Sequence, residues 1–193
     1  MVLTLLRAGI RTGVVFSKTA AQVVPFELPK GFLTKLIKSG DCNVSPDYLN
    51  KFDLTQENLS ELRVYDNSNL FAPVASGSEG YTHMVVAPCS MGTLGRVSHG
   101  MSQNLLERAA DVMLKEKRPL VLMVRETPFN ELHLENMLRV SRAGAHILPA
   151  SPGFYFHPKT LSELAHFMVE RAISLLKLEN APDKKIIWAK NKL

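Results

Sequence analysis

Cysteine is scarce in this 193-residue chain: Cys42 and Cys89 are the whole supply. Two thiols make no disulfide framework and no metal pattern, so a reducing cytoplasm is the expected setting. No apolar run approaches the ~18 residues of a membrane span. The opening, MVLTLLRAGIRTG, is too short and too soon interrupted for a secretory signal. Basic blocks are missing too. The densest pair, Lys184-Lys185, lies in a polar tail, so the net charge of +5 gives no support to nucleic-acid binding. The six histidines show no metal-ligand spacing, and there is no internal repeat. What remains is an ordinary globular composition, 46% hydrophobic and 21% charged, in a chain long enough for one well-cored domain.

Apolar runs of strand length alternate with helical patterns. Val2 to Arg7 reads as the last turns of a helix stopped at Gly9, followed by a strand at 13–16. Ser17 to Val24 reads as a helix that Pro25 stops, and Phe32 to Lys38 as another turn or two. Residues 40–58 are polar and loop-like, Leu62 to Tyr65 a strand, and residues 67–80 a surface loop. Met84 to Ala87 forms a buried strand closed by Pro88, and Ser102 to Lys117 a helix with the stripe Leu105, Leu106, Ala109, Val112 and Met113. Leu120 to Val124 is an unbroken apolar run, the mark of a parallel strand covered on both faces. Thr127-Pro128 marks a helix start, with Gly144 as its stop. Ala145 to Leu148 is a strand. Thr160 with Glu163 forms a capping box for a last helix to about Leu178, with Leu161, Leu164, Met168, Ala172 and Leu175 on its apolar stripe. The alternation predicts an α/β fold with a doubly wound parallel sheet over residues 1–178. Residues 179–193 form a tail whose Ile186-Ile187-Trp188 suits contact with another subunit.

The chemistry gathers at two places. The junction Cys89-Ser90-Met91-Gly92-Thr93-Leu94 joins a strand to a helix, where exposed N–H groups suit a phosphate or a polar ring edge. Arg125-Glu126 follows a buried strand, where open α/β sheets place their ligands. Upstream, Arg108, Asp111 and Lys115 share one helix face. Residue types alone leave each of these open to a plainer account. Arg108 and Lys115 could be solvated charges, Arg125 and Glu126 a local ion pair, and Cys89 a buried filler.

Four segments go further: PCSMGTL at 88–94, NLLERAADVMLKEKRPLVLMVRETPF at 104–129, HLENML at 133–138 and GAHILPASPGFY at 144–155. Together they resemble the UbiX-type flavin prenyltransferases. The resemblance implies a flavodoxin-like, Rossmann-type three-layer fold and a homododecamer. It implies transfer of a dimethylallyl group from dimethylallyl phosphate to N5 and C6 of reduced FMN, without a metal. The prenylated FMN would then serve a UbiD-type decarboxylase, as in ubiquinone biosynthesis. Matched by motif, flavin contacts fall on Ser17, Ser90, Met91, Gly92, Thr93 and Arg125. Donor contacts fall on Lys115, Arg125, Tyr155 and Arg171, and catalytic positions on Glu27, Glu126 and Arg108.

The resemblance also implies a preceding strand and a flavin-cradling loop of the form GxSGA, to which nothing here corresponds. A start site placed too late is the simplest account of that. Two other functions stay in view. One is a flavin-dependent cysteine decarboxylase, disfavoured because its PxMNxxM-type segment has no counterpart here. The other is a flavin-free structural homologue without activity.

Overall fold

The computed structural model describes residues 1–27, 32–39 and 46–179. The interface expected of Ile186-Ile187-Trp188, and part of the loop expected at 40–58, lie outside those residues. No helix among the described residues is long and apolar enough to cross a membrane.

Leu120–Val124 forms a strand, β4, with the boundaries its sequence predicts. It is paired in parallel on one side with β3, Met84–Cys89, and on the other with β5, His146–Pro149. Alternation then decides where each side chain goes. Leu120, Leu122 and Val124 face one cluster with Leu94 and Val97 of α6 (Met91–Ser98), Val112 and Met113 of α7 (Leu105–Lys115) and Val140 of α8 (Glu131–Arg142). Val121 faces the other side, against Ala172 and Leu176 of α9, Leu161–Leu176. Helices therefore cover both faces, and the architecture is a three-layer α/β fold with parallel strands.

The sheet comes in two pieces. β1 (Thr12–Val15) pairs in parallel with β2 (Leu62–Tyr65), and β3, β4 and β5 make a separate three-stranded sheet. No backbone pairing joins β1 to β3 among the described residues. Side chains bridge them instead. The Tyr65 and Tyr81 hydroxyls lie 2.8 Å apart, and a Cβ on Gly13 would stand 3.0 Å from the Tyr81 ring, a tight approach that favours glycine. Tyr65, Tyr81, Val15 and Met84 pack with Ala72, Val74, Leu105 and Ala109.

Several boundaries differ from the sequence reading. Pro25 does not stop its helix: α2 runs Lys18–Glu27 with Pro25 inside it. The last turn leans on α3, Phe32–Ser39, whose Thr34 hydroxyl donates to the Val24 carbonyl at 3.4 Å, so tertiary contact overrides the local signal. The polar stretch expected as loop holds α4, Pro46–Lys51, and α5, Gln56–Ser60. Leu49, Leu54 and Leu59 bury there against Leu6 of α1 (Val2–Arg7), Phe32, Leu36 and Leu62, and three widely spaced leucines leave no visible period. Residues 67–80 are no free surface loop, since a 3₁₀ turn at Pro73–Ala75 packs Ala72, Val74 and Ala75 onto α7.

Pro88 does not close β3. The strand continues to Cys89 through a register shift after Val86, which an edge strand tolerates despite the missing N–H. α7 starts at Leu105, capped by Asn104, and α8 starts at Glu131, beyond Thr127-Pro128. There Asn130 accepts the His133 N–H at 2.9 Å and the His133 ring takes the Asn130 N–H in return. That reciprocal cap satisfies two donors where Thr127 would satisfy one. Leu161 is exposed, since the first turn of α9 overhangs the core that Met168, Ala172 and Leu176 enter.

With Leu122 wholly buried at the centre of the larger cluster, Leu122→Ala is expected to cost about 2–5 kcal/mol. Urea denaturation at equilibrium should show this as a lower midpoint with an unchanged slope.

Candidate functional site

The carboxyl ends of β3, β4 and β5 meet at one rim. The Arg125 N–H donates to the Cys89 carbonyl at 3.3 Å, and the Ala150 N–H donates to the Val124 carbonyl at 2.8 Å. These two bonds place Ser90, Arg125-Glu126 and Ala150-Ser151 side by side.

Ser90 caps α6. Its Oγ accepts the Thr93 N–H at 3.3 Å, and its hydroxyl donates to Thr93 Oγ1 at 3.1 Å. The N–H groups of Met91 and Gly92 have no acceptor in the helix and open onto an exposed turn at Gly92. Arg125 is exposed and has no ion-pair partner among the described residues, so it is not locked to Glu126. Glu126 instead accepts the Thr127 N–H at 3.1 Å. Unbonded N–H groups and a free guanidinium at one rim suit the carbonyl edge of a flavin or an anionic group.

The other predicted residues sit on other elements. Ser17 follows β1 and accepts the Ala20 N–H at 3.1 Å, so it caps α2, and Glu27 ends that helix in an exposed position. Tyr155 stands edge-on to Phe156 and to Phe167, each at 6.0 Å between ring centroids. Phe167, which Tyr155 meets, and Arg171 are one turn apart on α9. Arg108 donates from Nε to the Ala75 carbonyl at 3.2 Å and from Nη1 to Asp111 at 3.2 Å. Lys115 ends α7 paired with Glu116 at 3.0 Å. That end of α7 adjoins the amino end of β4, whereas Arg125 follows its carboxyl end. Five strand residues separate them, roughly 16 Å. Within one chain, Lys115 and Arg125 do not converge.

Sequence reasoning missed an ion pair at the centre of this region. The Arg96 Nε donates to Oε1 of Glu107, whose side chain is 1% exposed, and the Gln103 N–H reaches its Oε2 at 3.0 Å. Burial alone would push the Glu107 carboxyl up, but hydrogen bonds involving Arg96, Asn104 and Gln103 outweigh it and hold the carboxyl below its usual range. In sequence Asn104 and Glu107 carry the pattern of an ordinary helix cap, and nothing there points to Arg96. Burial pushes the Cys89 thiol up to about 12, which disfavours the reactive thiolate. Among the described residues no cluster of three acidic, histidine or cysteine side chains could hold a metal.

A family model described as Flavoprotein matches residues 1–173. Over 120 residues the chain is 55% identical to "Flavin prenyltransferase UbiX" of Alkalihalophilus pseudofirmus, covering 62% of this chain and 60% of that relative's length. It is similar to a crystal structure of a UbiX protein (PadA1) in complex with FMN and dimethylallyl pyrophosphate. That match has a TM-score of 0.73 and 35% identity over 93% of this chain and 84% of that one. A dodecameric FMN-dependent UbiX-like decarboxylase from Escherichia coli O157:H7 gives a TM-score of 0.72 at 33% identity, covering 92% and 85%.

A depressed Glu107 contributes stability that is fully present above the ordinary glutamate value, about 4.3, and is lost as pH falls through the lower folded-state value. The melting temperature should therefore drop below pH ~4.3, and Glu107→Gln should remove that share of the acid sensitivity. A pH series of thermal melts checks it.

Proposed function

Because the chain belongs to the flavoprotein family, we propose that its domain, residues 1–178, is a flavin prenyltransferase using dimethylallyl phosphate as donor. The supporting observation is the rim itself, where the capped turn Ser90–Thr93 and unpaired Arg125 lie side by side. The similar UbiX structure holds FMN with dimethylallyl pyrophosphate. Reduced FMN, when bound, supplies the electron-rich N5 and C6 positions that accept the prenyl group. Ser17, Ser90, Met91, Gly92 and Thr93 would hold its polar edges, and Arg125 would serve both it and the donor. Arg125, Tyr155 and Arg171 bind the donor phosphate, whose charge grows as its bond to carbon breaks. Glu126, free of any cationic partner among the described residues, holds the proton that the departing phosphate takes. Arg108 and Glu27 take supporting places in the same chemistry.

Lys115 lies at the wrong end of β4 to meet that phosphate in its own chain. It comes from a second copy, consistent with a homo-oligomer such as the dodecameric relative. The exposed apolar residues Phe129, Leu134 and Leu138 on and beside α8 supply surface for such contacts. The product would serve a UbiD-type decarboxylase in the cytoplasm. A flavin-free homologue is the second reading, favoured by the division of the sheet at β1 and β3.

Anaerobic incubation with reduced FMN and dimethylallyl phosphate, read by mass spectrometry, should yield a flavin heavier by one prenyl group. An unchanged flavin overturns the proposal. Glu126→Gln should lower the rate roughly 10²- to 10⁴-fold with flavin affinity intact. Lys115→Ala and Arg125→Ala should each abolish turnover, and mixed oligomers of the two should recover part of it. No recovery would place both residues in one subunit's site.

A further inference from the structure

Arg96 has no part in the site as the sequence defines it, yet its head lies beside the flavin-binding turn. It is one helical turn after Gly92, and its side chain folds back toward the start of α6, as helical side chains do. A Cβ on Gly92 would stand 3.4 Å from Arg96 Nη1, so the guanidinium lies against the first turn. The charge reaches the end of β3 as well, where it acts on the Cys89 thiol.

Two features set this guanidinium apart from a solvated surface charge. Its Nε is fixed by Glu107, a carboxylate almost wholly buried and anchored by the Gln103 N–H. Its two terminal Nη groups donate to no acceptor among the described residues, although the side chain is 42% exposed. A buried anion that consumes only Nε leaves a rigid fork of N–H donors directed outward. Such a fork beside Ser90–Thr93 favours a ligand carrying negative charge on a planar polar edge.

We propose that Arg96 is a further flavin-contacting residue, held by Glu107, that binds the anionic edge of reduced FMN in preference to the uncharged edge of oxidised FMN. The inference rests on the flavin site placed at Ser90–Thr93 under the proposed function. Two-electron reduction leaves negative charge at N1 and the neighbouring carbonyl oxygen of the flavin, and a fixed cation there stabilises that form selectively. Arg96 would thereby load the site with the redox state the transfer needs, and Glu107 is its positioning residue.

The test is anaerobic titration of the full chain with oxidised and with reduced FMN, for wild type, Arg96→Gln, Arg96→Lys and Glu107→Gln, alongside thermal melts. Arg96→Gln should weaken binding of reduced FMN roughly tenfold or more while leaving oxidised FMN nearly unchanged. Arg96→Lys should restore part of the preference, since it keeps the charge and loses the fork. Glu107→Gln should reduce the preference by freeing the guanidinium. Wild-type affinity for both forms in Arg96→Gln overturns the inference alone, and so does an equal loss for both accompanied by a lower melting temperature. A wild-type chain that binds neither form overturns the flavin site itself.

Discussion

Burial of β4 on both faces constrains everything else in this molecule. Val121 against α9 and Leu122 against α6, α7 and α8 leave no room for a polar group along the strand. Charge is therefore confined to the strand's two ends, where backbone and side chains reach water. Arg125-Glu126 takes one end, and Lys115-Glu116 adjoins the other through the turn that closes α7. The same hydrophobic constraint that stabilises the sheet thus separates the two charged groups by the length of the strand. Under the proposed function, a phosphate held by both would need two chains, and oligomerisation would complete the site as well as cover apolar surface.

The rim owes its shape to small departures from regular structure. Pro88 and the register shift beside it bend the end of β3, and Cys89 still offers its carbonyl to Arg125. Ser90 satisfies one N–H of α6 and leaves its neighbours for a ligand. Neither feature is favourable for a sheet, and both sit where a ligand would meet the backbone. Both features gather at the end of the molecule where the proposed function places its ligands.

Much of this was legible in residue order, for identifiable physical reasons. β4 was predicted to the residue because five apolar side chains in a row admit few alternatives. The strand-to-helix junction at 89–94 and the stop at Gly144 were visible because each is marked by local residue types, small and hydroxyl side chains in one and a glycine with positive φ in the other. Helices α4 and α5 were not visible, because their stability comes from Leu49, Leu54 and Leu59 meeting residues far away in sequence. Thr127-Pro128 misled because a good local signal lost to a better one three residues later. The distance between Lys115 and Arg125 could not be read from a helix face, since it depends on which way α7 runs relative to β4.

Glu107 shows why the hidden part of the site is informative. A carboxylate this buried is destabilising unless its partners offset the loss of water, and an apolar side chain would often serve the core as well. The core therefore gives no reason to keep it. Its partners are Arg96 on α6 and the Gln103 N–H just before α7, so the pair ties together the helix that begins after the Ser90 cap and the helix that carries Arg108. A hydrophobic contact could hold those helices at the same distance. It could not leave a cation with two free donors beside Ser90–Thr93, and that outward charge is what the buried carboxylate makes possible.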